Sequence, residues 1–317
     1  MKKMIALALA VLMLLMLTAC GSTTDDGKYT IGICQLVTHD ALDAATKGFQ
    51  DAVIAGLGKE NVTFDLQNAA GDSNTCASIA NAFVAAEVDL IMANATPALK
   101  NAQAATVDIP ILGTSVTEYG VALDIADFSG TVGGNVSGTS DLAPLEDQAA
   151  MLQEWFPDAK NVGLLYCSAE PNSKYQVDTI KALLEEKGYS CKMFAFADSN
   201  DMPAVTNAAC EYSDVIYVPT DNAVASSTDI IDGICRPAGV PIIAGEEGAC
   251  AGCGVATLSI SYYDLGYKTG EMAVQILKGE ADISTMKIEY APATRKYNAE
   301  ICEDLGLTAP EGYVAIG

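Results

Sequence analysis

The groups in this chain that could do chemistry are hydroxyls, amides and carboxylates placed just beyond short apolar runs. In the first half they are Gln35 to Thr38, Asn94 to Thr96, and Thr114 to Glu118, the last including Ser115 and Thr117. In the second half they are Ser168 to Ser173, with Glu170 and Asn172, then Thr220 to Asn222, then Glu246 and Glu247. The first group is mostly neutral and stands where helices begin, which suits an anion such as a carboxylate. The second is rich in acids, which suit an ammonium group. A zwitterionic amino acid fits that asymmetry. Asp221 is expected to hold the ammonium group, with Glu246 next. Each Ser, Thr or Asn taken alone reads first as a helix cap; convergence on one cleft carries the functional weight.

Other chemistries have little to work with. The single histidine, His39, excludes a histidine-clustered metal site. It stands at a helix start just after a strand, where it reads as a ligand contact or as a cap. No serine nucleophile elbow or phosphate-binding loop occurs. The glycine-rich stretch from Gly130 to Gly138 does not follow the dinucleotide-binding spacing and reads as a flexible crossover. No catalytic residue, metal or cofactor is expected. Cys250 and Cys253 have redox spacing but no flanking ligands; a loop disulfide or two idle thiols is the expectation. Of ten cysteines, nine follow Cys20, so they cannot all pair within one chain. The formal charge of −24 would repel phosphate backbones, so no nucleic-acid partner is expected. Trp155 ends a helix and reads as core.

The elements that position these groups follow from length and periodicity. The chain has 317 residues, enough for two domains. Lys2 and Lys3 precede an apolar run from Met4 to Ala19, too short to span a membrane and ordered as a secretory signal. Cys20 follows, then a small polar tether to residue 27. From Tyr29 strands and helices alternate, which means a parallel sheet with helices on both faces. Strands are expected at Tyr29–Gln35, Val62–Ala69, Asp89–Asn94 and Ile109–Gly113. Helices are expected from His39 to Leu57, from a Ser73 cap to Ala86, and from Pro97. The pattern repeats after Asn161, with one helix from Ala223 to Cys235. Val88–Thr96 resembles Ser213–Thr220, so the architecture reads as duplicated. A long helix from Tyr262 to Lys278 is expected to return to the first lobe. The expected layout is a signal at 1–19, a lipidated tether at 20–27, one lobe from 28–137 plus 258–284, and another from 138–257 plus 285–317.

Leu17-Thr18-Ala19-Cys20-Gly21 resembles the bacterial lipobox, in which the cysteine becomes the lipidated N-terminus. With two α/β halves behind it, the whole mature chain resembles a solute-binding lipoprotein of an ABC importer. That family has the type I periplasmic-binding-protein fold, two doubly wound lobes joined by a multi-strand hinge. Seven segments resemble its aromatic amino acid branch: His39–Asp43, Ala95–Leu99, Thr114–Tyr119, Asn135–Asp141, Ser168–Ser173, Pro219–Asn222 and Ile260–Gly266. Asp40 stands where that branch is expected to have proline. The resemblance implies ligand between the lobes, a monomer held to the membrane by lipid on Cys20, and ABC permease and ATPase subunits as partners. The candidate ligand set is Gln35, Thr96, Ser115, Thr117, Thr139, Ser140, Asn172, Ser173, Asp221 and Glu246. A sugar or nucleoside binder of the same fold stays open, although Arg236 and Arg295, the only arginines, follow no core strand. A thiol redox module is the remaining alternative.

Overall fold

The computed structural model describes residues 28–316; the leader, Cys20 and the tether lie outside them. The chain begins β1 (Tyr29–Gln35), α1 (Asp40–Leu57), β2 (Val62–Asn68), α2 (Ser73–Ala85), β3 (Leu90–Asn94), α3 (Thr96–Ala105), β4 (Ile111–Val116), α4 (Tyr119–Ala122) and β5 (Val136–Ser140). It continues α5 (Leu145–Trp155), β6 (Asn161–Cys167), α6 (Pro171–Glu186), β7 (Ser190–Phe196), α7 (Met202–Tyr212), β8 (Val215–Val218), α8 (Asn222–Ala225), α9 (Thr228–Ala238), β9 (Ile242–Ala244), α10 (Glu247–Cys253) and β10 (Ala256–Ser259). It ends α11 (Tyr262–Leu277), β11 (Glu289–Tyr290), β12 (Thr294–Tyr297), α12 (Ala299–Asp304) and β13 (Val314–Ala315).

Two sheets result, ordered β11-β5-β4-β3-β1-β2 and β13-β12-β10-β9-β8-β6-β7. Read from β2 and from β7, five strands in each sheet share one order, which is the duplication the sequence echoes suggested. Nearly all pairs are parallel; β10 with β12 is antiparallel. The central strands are apolar along their whole length because helices cover both faces: every residue of β3, β4 and β8 is buried. In each sheet the chain order reverses beside the first strand, so β1 lies between β2 and β3, and β6 between β7 and β8. Ligand crevices form at such switch points, beyond the carboxyl ends of the strands.

The chain passes between the sheets three times: after β5, after β10, and between β11 and β12. The glycine-rich stretch is therefore no crossover; it leads into β5, which pairs with β4 in the first sheet. The expected lobe limit at 137/138 falls inside β5, and the 285–317 segment opens with β11 in the first sheet. The long late helix, α11, does return to the first sheet, where it lies along α1. Their backbones nearly touch: a Cβ on Gly48 would sit 2.1 Å from the Tyr263 carbonyl oxygen, and one on Gly266 would sit 1.9 Å from that of Ala45.

Two local expectations fail for physical reasons. The cap of α2 is Asp72, whose carboxylate accepts from the Thr75 N–H at 2.6 Å, and Ser73 is the first helical residue. The helix expected over Ala223–Cys235 is broken into α8 and α9. Ser226 and Ser227 lie between them, and the Ser226 hydroxyl donates to the Ala223 carbonyl at 3.2 Å, a local bond that competes with helix continuation. Trp155 packs in the core of the second sheet, edge-on to Tyr313.

Candidate functional site between the two sheets

A cleft of about 430 Å³ opens between the sheets. Leu36, Ser73 and Pro97 line it from one side, and Cys167, Glu170 and Asn222 from the other. None of the ten candidate residues lines this open mouth. They sit at the strand ends, where every one of them is buried.

Five buried side-chain atoms at or just beyond these ends have no hydrogen-bond partner: Asn94 Oδ1, Thr96 Oγ1, Ser115 Oγ, Asp141 Oδ1 and Asn172 Oδ1. Buried polar atoms are normally paired, so these orphans at the carboxyl ends of strands are free to take polar groups of a ligand. The backbone beside two of them is strained. Ser115 has φ +53°, and Ala95, just before Thr96, has φ +97°. Non-glycine residues hold such conformations at a cost of about 1–3 kcal/mol, and they collect at functional sites. The hydroxyl of Thr96 also opens α3, whose unpaired N–H groups favour an anion.

The acids form two groups. Asp141 follows β5, and the Tyr262 hydroxyl donates to its Oδ2 at 2.9 Å. Burial raises the Asp141 carboxyl to about 6, against hydrogen bonds from Tyr262 and Thr117 that lower it. Glu246 caps α10 through the N–H groups of Gly248 and Ala249. Burial raises it to about 7, those bonds oppose the rise, and the charges of Asp141 and Glu247 add to it. The second group stands across the switch point of the second sheet. Asp221 Oδ2 accepts from the Cys167 N–H at 2.7 Å, and Oδ1 from Val224 N–H at 3.0 Å, so Asp221 caps α8 and ties it to β6. Burial raises its carboxyl too, while its bonds from Cys167, Val224 and Ser173 pull against the rise. Glu170 accepts from the backbone N–H groups of Asn222 and Ala223 and from the side chain of Asn172. Burial, then the Asp221 charge, raise it to about 7.

Other candidates are committed elsewhere. The Gln35 amide donates to Val37 O and Asp43, and its oxygen accepts from Thr46. Thr139 bonds the hydroxyls of Thr114 and Thr269, a ladder that pins β5 to α11. Ser140 donates to the Thr117 carbonyl at 2.8 Å, close to the first crossing. Asn172 and Ser173 are in the second group, with the Asn172 amide also donating to the Thr220 carbonyl. The sequence-based set omitted Asp141, Tyr262 and Glu170. Glu170 stood in a strand-end segment already singled out; Asp141 and Tyr262 stood in the Asn135–Asp141 and Ile260–Gly266 segments, which were read for resemblance and not for strand-end chemistry.

The thiols of Cys250 and Cys253 are buried in α10, and burial pushes both upward, the reverse of what a reactive thiol needs. Among the described residues no cluster of three or more His, Cys, Asp or Glu could hold a metal ion. No described helix is long and apolar enough to cross a membrane. Arg236 pairs with Asp232, Glu300 and Asp304, and Arg295 with Glu154, so neither arginine serves the cleft.

Two doubly wound lobes, a cleft at their switch points and three passages of chain between them define a type I periplasmic binding fold. The profile of the ABC transporter substrate binding protein family matches residues 30–315, and the chain belongs to that family. It is 37% identical over 295 residues to a "Tyrosine-binding protein" of Clostridioides difficile, covering 88% of this chain and 85% of that protein. Among solved structures, it is similar to an ABC domain in complex with L-Trp from Streptococcus pneumoniae. That match has 32% identity, coverage of 91% of this chain and 100% of the other, and a TM-score of 0.86. It is also similar to the ligand-free, open form of a substrate binding protein with adhesive properties from Clostridium difficile. There the identity is 38%, the coverage 91% and 99%, and the TM-score 0.69. The sequence is nearer the second protein and the shape nearer the first.

Proposed function

We propose that this protein captures an aromatic amino acid in the cleft between its lobes and delivers it to a membrane permease. One observation carries the ligand chemistry: the orphaned polar atoms at the strand ends, among them Thr96 Oγ1, Ser115 Oγ, Asp141 Oδ1 and Asn172 Oδ1. The ligand carboxylate lies against the hydroxyls of Thr96 and Ser115 and the start of α3. The ammonium group meets Asp141 from the first lobe and Asp221 from the second. Asp141 has a free buried oxygen; Asp221 keeps its cap and adds charge. Binding thus ties the lobes together, as a closing hinge requires. The similarity to proteins described with tyrosine and L-Trp supports an aromatic side chain. The lobes run from 28 to β5 plus α11 and β11, and from α5 to β10 plus β12 to the end. Lipid on Cys20 would hold the protein at the outer face of the membrane.

A thermal-shift panel of twenty amino acids, sugars and nucleosides tests the reading. Ligand at a hundredfold its Kd stabilises by about 2.7 kcal/mol. Tyrosine, tryptophan or phenylalanine is expected to raise the melting midpoint. A rise only with a sugar or nucleoside overturns the amino acid assignment.

A further inference from the structure

Helices α7 and α9 flank the strand that carries the Asp221 turn, and they bring two cysteines together. The sulfurs of Cys210 and Cys235 lie 3.3 Å apart. A disulfide is about 2.05 Å long, so an approach of roughly 1.3 Å, within reach of side-chain rotation, completes the bond. Cys210 is half-buried and reachable from solvent; Cys235 is buried. We propose that Cys210 and Cys235 form a reversible disulfide that staples α7 to α9 when the protein meets an oxidising small-molecule disulfide such as oxidised glutathione.

The chemistry balances without help from the protein's ligand. Cys210, as thiolate, attacks one sulfur of the oxidant, forming a mixed disulfide and releasing one thiol. Cys235 gives up its proton and attacks Cys210 Sγ, forming the internal bond and releasing the second thiol. The oxidant is reduced to two thiols and the two cysteines are oxidised by two electrons. The neighbours support this order of events. The hydrogen bond from Cys235 lowers the Cys210 thiol, while that same bond and burial raise Cys235. The less buried partner is thus the one placed to meet the oxidant first. A second pair, Cys34 and Cys76, is in mutual contact in the first lobe, but both are buried to within 1%. Oxidant reaches that pair only through unfolding.

The bond closes a chain loop holding β8, Asp221 and Asn222, so it restricts the unfolded chain around the ligand turn. Its existence does not depend on which ligand binds.

The test uses the folded full-length protein incubated with oxidised glutathione. Thiols are then blocked by alkylation in denaturant and the digest is mapped by mass spectrometry. The expected result is a peptide pair joining Cys210 to Cys235, with Cys34, Cys76, Cys250 and Cys253 recovered alkylated. The melting midpoint should rise by roughly 5–10 °C and fall back with reductant. Cys235→Ala should show no reversible rise and should hold glutathione on Cys210; Cys210→Ser serves as the control if that variant folds poorly. Recovery of Cys210 and Cys235 as free thiols in the wild type overturns the proposal. So does a stable mixed disulfide at Cys210, or a mapped bond that leaves the midpoint unchanged.

Discussion

His39 Nε2 and Asn222 Oδ1 meet across the gap between the two lobes at 3.3 Å. Asn222 gives its amide N–H to Glu170 at 2.6 Å, so its oxygen faces His39, and the imidazole N–H donates. The contact joins the start of α1 to the start of α8, at the mouth of the cleft. As a bond from lobe to lobe it is placed to act as a latch on closure.

His39→Ala should therefore loosen closure without touching the orphaned atoms. A hydrogen bond of this kind contributes about 0.5–1.5 kcal/mol, so ligand affinity should fall about 2- to 10-fold. The ligand-free variant should also show a larger radius of gyration in solution scattering. Burial lowers the His39 imidazole, so the closed form prefers it neutral. The Asn222 bond opposes that shift and survives protonation; the stability given by burying the neutral ring is full above about 6.5 and is lost as pH falls through the lowered folded value. Unchanged affinity in the variant would remove His39 from the closing mechanism.

Asp141 should govern the pH dependence of binding. Its carboxyl sits at about 6 in the ligand-free protein, and an ammonium ligand needs it ionised. Affinity should rise as pH climbs through 6, falling about tenfold for each unit below. The sign for stability is opposite. Asp141, Glu170 and Glu246 are raised above their unfolded values. The stability they give is full below about 4 and lost as pH rises through 6 to 7. Ligand-induced melting shifts should consequently grow from pH 5 to pH 7.5. Asp141→Asn should weaken binding by a hundredfold or more and flatten this dependence.

Asp221 is a harder case than the sequence suggested. Its two oxygens satisfy two buried N–H groups, so Asp221→Ala leaves both unpaired, at about 1–3 kcal/mol each. Chemical denaturation should show that loss together with the loss of binding. Asp221→Asn retains one acceptor oxygen and should fold more stably than the alanine variant, yet bind at least tenfold more weakly than wild type. Wild-type affinity in Asp221→Asn would reduce Asp221 to a cap.

Gly266→Ala should destabilise the first lobe by about 1–3 kcal/mol, because the new methyl meets the Ala45 carbonyl where α1 and α11 touch. A denaturation midpoint equal to wild type would show that the two helices part without cost.

Much of this was legible in the chain because buried parallel strands announce themselves. Tyr29–Gln35, Asn161–Cys167 and Val215–Val218 form with the boundaries their apolar runs predict. The return of α11 was legible from its length and place after the second half's last strand. Short, partly exposed strands such as Thr294–Tyr297 were not, since their register comes from pairing with β10 and not from their own pattern. At the site, strand-end position picked out Thr96, Ser115, Asn172 and Asp221. Position could not tell which polar atoms stay unpaired. Gln35 and Thr139 look equally free in sequence, and only the packing of Thr46 and Thr269 against them shows otherwise.

The central claim is that the cleft recognises both charges of an amino acid through opposite chemistries. Calorimetric titration with L-tyrosine, with its decarboxylated amine and with its deaminated acid tests this most directly. L-Tyrosine, or L-tryptophan in the same series, should bind, and each singly charged analogue should bind at least a hundredfold more weakly. Analogue affinities equal to that of the parent amino acid would contradict the account.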